Sequence, residues 1–282
     1  MNHPVTPLHS MTFRIAAASL GCALVVFSAG AADTAAPVMS ATDLASRLSA
    51  FQKDGASYVR LRLEVKQPPG TTKIALQLQI KERRTETAAD VVYQVLWPKE
   101  RKGEAFLLRK AAGRPATGSL FVPPDTVRAL DASQMREPLF GSDLSYQDVI
   151  ENFFAWEHQA IIGTEVVDRV SCQILESKPG KGERSLYASV RSWVDTRRLV
   201  PLRVEKYLAS GQLARRIDTT KVAPDDNHRP IPANLAVRGQ QQDSVTELDG
   251  SRIRHDVTYA DREFTPEGLK ELTTPTPTSV PR

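Results

Sequence analysis

The chain has 282 residues, 41% of them hydrophobic and 25% charged, with 15 Gly, 19 Pro and a formal net charge of +4. This balance excludes a wholly disordered chain and, without a triplet glycine period, the collagen-like and low-complexity classes. Basic residues are scattered in pairs such as Arg83-Arg84, Arg197-Arg198 and Arg215-Arg216, so no concentrated phosphate-binding face arises and nucleic acid is not an expected partner.

Ile15 to Phe27 is an apolar run behind a single positive charge, Arg14, and it ends in Ser28-Ala-Gly-Ala-Ala-Asp33. A membrane span needs about 20 apolar residues, so residues 1–31 read as a cleaved signal peptide with an Ala29-x-Ala31 site. Cleavage after Ala32 fits equally well. Cys22 follows Ser19-Leu-Gly21 in the manner of a lipidation box, but the apolar Ala23 to Phe27 would then begin the mature chain, and lipidation is not expected. Translation from Met11 would give a more compact leader than translation from Met1. The expected location is the periplasm. Processing removes one of 37 basic residues and none of 33 acidic ones, leaving a charge of +3. Only Cys172 survives it, so neither a disulfide framework nor a thiolate metal site is available. A buried strand cysteine is expected there.

Ser40 to Gln52 reads as a helix, with Leu44, Leu48 and Phe51 at spacings of four and three and Gly55 as its stop. The period then drops to two. Val59, Leu61, Leu63 and Val65 alternate with charged residues, Pro68-Pro-Gly70 turns the chain, and Ile74, Leu76, Leu78 and Ile80 repeat the pattern as the second arm of an antiparallel hairpin. Val91, Tyr93, Val95 and Trp97 continue it, and Phe106 to Arg109 and Gly118 to Val122 add two short strands. Asp131 to Asp143 has no clean period. Ser145-Tyr-Gln-Asp148 has the form of a capping box opening a short helix before Val149, Ile150, Phe153 and Phe154.

A second set of strands runs over 160–174, 185–194, 200–208, 212–222, 232–242 and 251–259, with turns expected at Gly180-Lys-Gly182, Ser210-Gly211 and Asp249-Gly250. Thr265 to Leu269 begins a last short helix. Some ten strands and two or three helices make the chain mainly β (α+β): a large curved antiparallel sheet or half-barrel with helices lidding its apolar face. The expected organisation is one domain over 32–272 and a disordered Pro/Thr-rich tail over 273–282.

The motifs of common enzymes are absent. His158, His228 and His255 show no zinc-ligand spacing, and no nucleophile elbow, P-loop or dinucleotide fingerprint occurs. His255, in phase with Ile253, Val257 and Tyr259, reads as a hydrogen-bonded core histidine. Gly141-Ser142-Asp143 sets a serine beside a carboxylate, but neighbours in sequence do not make a triad. No catalytic residue, metal or cofactor is expected, and the chain reads as a non-enzyme.

The segment Phe140-Gly-Ser-Asp-Leu-Ser-Tyr-Gln-Asp148, following Trp97-Pro98 and the strand from Lys102-Gly103 to Phe106-Leu107, resembles the signature F-x-G-S-D-[FL]-S-Y-E-D of the LolA-like outer-membrane lipoprotein-sorting proteins. The likeness continues through Tyr187 to Asp195 and Pro201 to Gly211, covering most of residues 57–264. Gln147 stands where an acidic residue is common, and Leu120-Phe-Val-Pro-Pro124 matches the family's tyrosine-leucine-proline strand loosely. The resemblance implies an unclosed β-barrel whose apolar concavity receives acyl chains, with Phe140, Gly141, Ser142, Asp143, Ser145, Tyr146 and Asp148 as a structural signature loop. It implies a periplasmic carrier, expected to be a monomer, that takes lipid or the acyl chains of lipoproteins toward the outer membrane, in exchange with an inner-membrane transporter or envelope protein. The alternative is a regulatory or accessory protein of an envelope complex that uses the same fold to hold a protein partner.

If the first three strands pair in order, Leu61, Leu63, Leu76, Leu78 and Trp97 share one apolar face. That face is either the wall of an open pocket or closed core.

Overall fold

The computed structural model describes residues 38–52, 55–239 and 243–277. The expected signal peptide and residues 278–282 lie outside them.

One α-helix, α1 (Ala41–Gln52), opens the described chain, capped by Ser40, whose Oγ accepts the N–H of Asp43 at 3.1 Å. Six strands follow: β1 (Ala56–Gln67), β2 (Thr71–Arg84), β3 (Ala88–Trp97), β4 (Ala105–Ala111), β5 (Thr117–Val122) and β6 (Thr126–Leu130). A crossing segment then carries the short helix α2 (Tyr146–Ile150). Seven more strands complete the main sheet: β7 (His158–Val167), β8 (Val170–Lys178), β9 (Ser189–Asp195), β10 (Val200–Tyr207), β11 (Leu213–Pro224), β12 (Pro230–Gly239) and β13 (Val245–His255). No described helix is long and apolar enough to cross a membrane.

The order across the sheet is β6-β5-β4-β3-β2-β1-β13-β12-β11-β10-β9-β8-β7, antiparallel throughout. Two meanders are thus joined where β1 pairs with β13. The two open edges, β6 and β7, are consecutive in sequence, so the segment linking them must cross one face of the sheet. That face is the inner one. It holds Leu63, Val65, Leu76, Leu78, Ile80, Tyr93 and Phe106 packed on Leu139, Leu144, Tyr146 and Ile150 of the crossing segment. Further along, Leu44 and Leu48 of α1 pack with Phe153, Phe154 and Trp156 against Leu175, Val190, Val194 and Val204.

The sheet has thirteen strands where about ten were expected. The run over 160–174 is a hairpin of β7 and β8, turned by Asp168 and Arg169, both at positive φ; neither residue is a glycine, so the turn signal was weak. Asp249-Gly250, expected as a turn, lies inside β13. There the register with β1 shifts between Arg60 and Arg62, and a Cβ on Gly250 would come within 3.1 Å of Leu61 Cδ1. The glycine therefore permits a bulge, its alternative role within a strand.

The tail boundary also moves. Thr273 to Pro277 belong to a strap that begins with β14 (Val257–Thr258), runs through 3-10 turns at Asp261–Phe264 and Glu267–Lys270, and ends in β15 (Thr276–Pro277), which pairs with β14. The strap covers Val92, Leu107 and Phe121 on the outer face with Phe264 and Leu269. Its polar contacts explain why it stays down: buried Lys81 donates to Glu263 at 2.7 Å and to Thr273 Oγ1 at 2.6 Å, and Gln94 donates to the carbonyls of Leu269 and Glu271.

Candidate functional site

Between the inner face and its helical cover lies a cleft of about 470 Å³, within the usual range for small-molecule sites. Its walls are mainly apolar, with Leu48 and Phe51 from α1, Val149 from α2, Phe153 and Phe154 after it, and Val59, Ile80, Val204, Ile217, Leu235 and Ile253 from the sheet. A second cavity of about 200 Å³ continues along the same face, lined by Leu61, Leu63, Tyr93, Leu139, Leu144, Val237 and Leu248. Val149, Ile217, Leu235 and Asp148 border both.

The five residues expected on a pocket wall separate into three groups. Leu61 and Leu63 line the second cavity. Leu76 and Leu78 are each 1% exposed, packed in the core and outside both cavities. Trp97 is 51% exposed. A register shift between Gln77 and Leu78 sets it opposite Gln77 rather than in line with Leu78, so the alternation read through Val95 does not carry it onto the inner face.

The signature loop fastens the crossing segment to the sheet. Gly141 has φ +81°, the left-handed region that favours glycine, and a Cβ there would meet Ile74 Cδ1 at 2.9 Å. Ser142 Oγ accepts the N–H of Leu144. Asp143, 3% exposed, accepts the hydroxyls of Ser244 (2.8 Å) and Thr246 (2.7 Å) near and on β13. The rings of Tyr146 and Phe140 pack on Phe106 with centroids at 4.9 and 5.2 Å.

The capping box is formed. Ser145 Oγ accepts the Asp148 N–H, and Asp148 Oδ2 accepts the Ser145 N–H at 2.8 Å.

Asp148 does more than cap. Its side chain is fully buried at the border of the two cavities. Oδ1 accepts from Lys206 Nζ at 2.7 Å and from the Tyr187 hydroxyl at 2.6 Å, while Oδ2 also accepts from Arg215 Nε at 3.3 Å. Burial alone would raise its pKa, but the charges of Lys206 and Arg215 and these bonds outweigh burial and hold the carboxyl well below the usual range. Burial, with Asp148 beside it, pushes the Tyr187 phenol far up. Glu151, just beyond α2, is 8% exposed; its Oε1 accepts from Gln147 Nε2 at 3.1 Å and its Oε2 has no hydrogen-bond partner. Burial raises its pKa.

Lys206, Glu151, Arg215 and Tyr187 were not singled out from sequence. A signal existed for Lys206, which follows Val204 at a spacing of two in an alternating strand and so takes an inward position.

Another polar group on the cleft contains His255, whose Nδ1 lies 2.5 Å from Asp226 and 3.8 Å from Asp225. The ligand atoms of these three residues lie within 4.8 Å of one another. Asp225, however, already accepts the backbone N–H groups of Asn227 and Arg229 and the Arg229 guanidinium, and that guanidinium is 3.2 Å from His255 Nε2. The Arg229 guanidinium thus already neutralises Asp225 beside the imidazole. Cys172 is 1% exposed, and burial pushes its thiol up to about 11, so it is not a ready nucleophile.

Comparison with known proteins places this geometry. No curated protein matches the chain. Its fold is shared with crystal structures of a DUF1329 family protein from Desulfovibrio piger (22% identity, TM-score 0.74, covering 81% of this chain and 97% of that one) and of a domain from Vibrio parahaemolyticus described as outer membrane lipoprotein-sorting (20%, 0.72, 82% and 98%). A LolA superfamily protein from Nitrosomonas europaea is similar at 18% identity and a TM-score of 0.64, covering 81% of this chain and 98% of that one. Residues 89–271, well over half of the chain, match the model of a family described as an uncharacterized protein, and the chain belongs to that family, built on the LolA-like fold.

Proposed function

We propose that the protein is a periplasmic carrier that takes lipid, or the acyl chains of lipoproteins, into the inner cleft for passage toward the outer membrane. The observation that carries this reading is the apolar cleft and its continuation into the second cavity past Val149, Ile217 and Leu235. An acyl chain gains about 0.8 kcal/mol per buried methylene, so ten methylenes are worth about 8 kcal/mol before ordering costs. The fold shared with a lipoprotein-sorting domain supports the same reading. The leader read in residues 1–31 supports export.

The test is equilibrium binding of a dye-labelled fatty acyl probe to wild type and to Ile217→Trp, which fills the junction of the two cavities. Wild type binds in the micromolar range or tighter, and Ile217→Trp loses roughly tenfold or more while melting within a few degrees of wild type. A wild-type protein that binds no acyl probe refutes the carrier reading.

A further inference from the structure

The two cavities on the inner face form one path with unlike ends. Register marks its course: β1 and β13 pair Ser57 with His255, Val59 with Ile253 and Leu63 with Leu248, and the first two pairs line the cleft while the third lines the second cavity. From Ser57 to Leu63 the strand rises about 20 Å, at roughly 3.3 Å per residue. Half of the ~30 Å hydrocarbon core of a bilayer, about 15 Å, is the depth that one lipid chain fills. The path therefore has the length of one such chain with its head.

Polarity sets the direction. At the Ser57 end the cleft carries Glu82, Arg84, Arg229 and His255, all part-exposed. At the other end the second cavity is walled by Leu63, Tyr93, Leu139, Leu144, Val237 and Leu248, each 9% exposed or less, and apart from the Tyr93 hydroxyl these side chains offer nothing to bond a polar group. At the border Asp148 has both oxygens occupied, by Lys206, Tyr187, Arg215 and the Ser145 N–H, so a passing methylene takes no partner from it. A polar head at the closed end would be left unbonded, which is costly, whereas a closed apolar cavity takes an apolar group.

We propose that the second cavity is the closed end of a single-chain site: an acyl chain lies along the path with its head toward His255 and its terminal methyl against Leu248, and the distance between the two limits the length of chain held. Beyond Leu63, Val65 and Leu76 are core at 2% and 1% exposed, so a longer chain has no space to continue. The inference rests on the acyl-chain reading above and adds to it a direction and a length limit.

Displacement of a dye-labelled dodecanoyl probe by dodecanoate, hexadecanoate and icosanoate tests it. In wild type, potency rises roughly tenfold or more from dodecanoate to hexadecanoate, within the factor of about four that each buried methylene supplies, and does not rise again for icosanoate. Leu248→Phe fills the closed end and moves the optimum to dodecanoate, whereas Leu248→Ala lengthens the path and moves the optimum to icosanoate. Should either variant fail to fold, the other and the wild-type profile decide. Potency that still rises at icosanoate in wild type, equal potency of the three chains, or an optimum unmoved in the variants that fold overturns the length limit and leaves the acyl reading intact. Displacement by none of the three, or no probe binding at all, overturns both.

Discussion

Asp148→Asn is the most informative single perturbation of the inner face. The substitution keeps shape and removes one negative charge from a site where it balances Lys206 at 2.7 Å and Arg215 at 3.3 Å. Lys206 is then a buried ammonium without its counter-ion, and removing one partner of a buried pair typically costs about 3–5 kcal/mol. Some of the capping function survives, since an amide oxygen still accepts the Ser145 N–H. The expected loss is therefore about 4 kcal/mol, or roughly 8 to 16 °C in melting temperature for a domain of this size. The pH dependence has a definite sign. Asp148 titrates lower in the folded chain than in the unfolded one, so its contribution is fully present above about pH 4 and declines as pH falls further toward its folded value. Urea unfolding of Asp148→Asn should thus differ most from wild type near neutrality and converge with it in acid. The double variant Asp148→Asn with Lys206→Met should recover part of the loss, because the unbalanced charge is gone. A loss below about 1.5 kcal/mol at neutral pH, or no recovery in the double variant, would refute the view that this ion pair holds α2 to the sheet.

Ser145→Ala removes both the cap acceptor and the hydroxyl that donates to Asp148 Oδ2 at 2.8 Å, and should cost on the order of 1 kcal/mol in denaturant melts, with acyl-probe binding retained. Leu78→Glu places a charge at a position 1% exposed and outside both cavities, so it should give no cooperative unfolding transition; a stable, folded variant would contradict the placement. Glu151 has the opposite sign to Asp148. Its pKa is raised on folding, so its contribution is present below about pH 4.3 and is lost as pH rises through the folded value. Glu151→Gln should flatten that part of the stability profile, and identical wild-type and variant slopes above pH 4.3 would argue against a buried acid.

The strand period made the first half of the sheet legible. Val59 to Val65 and Ile74 to Ile80 alternate without interruption, and in the structure Leu61 pairs with Leu78 and Leu63 with Leu76. The cap at Ser145 was equally legible because its chemistry is local. What escaped depends on contacts distant in sequence. Gly250 has the same local signature in a turn and in a bulge, and only its pairing with β1 decides between them. The strap is held by Lys81, Gln79 and Gln94, polar positions that alternate with the inner-face residues of β2 and β3, and that alternation alone does not show that Thr273 and the carbonyls of 269 and 271 reach them. The polar group in the cleft assembles from α2, its following turn and β10, elements more than 50 residues apart, so no spacing rule could have joined Glu151 to Lys206.

Native mass spectrometry of the protein purified under mild conditions from its own host tests the central claim most directly. A bound species of fatty-acid or acyl-lipid mass, released on organic extraction and absent from Ile217→Trp, is the predicted result. The bare polypeptide mass alone, with no complex formed when fatty acid is added back, would contradict the assignment of the inner cleft to acyl chains.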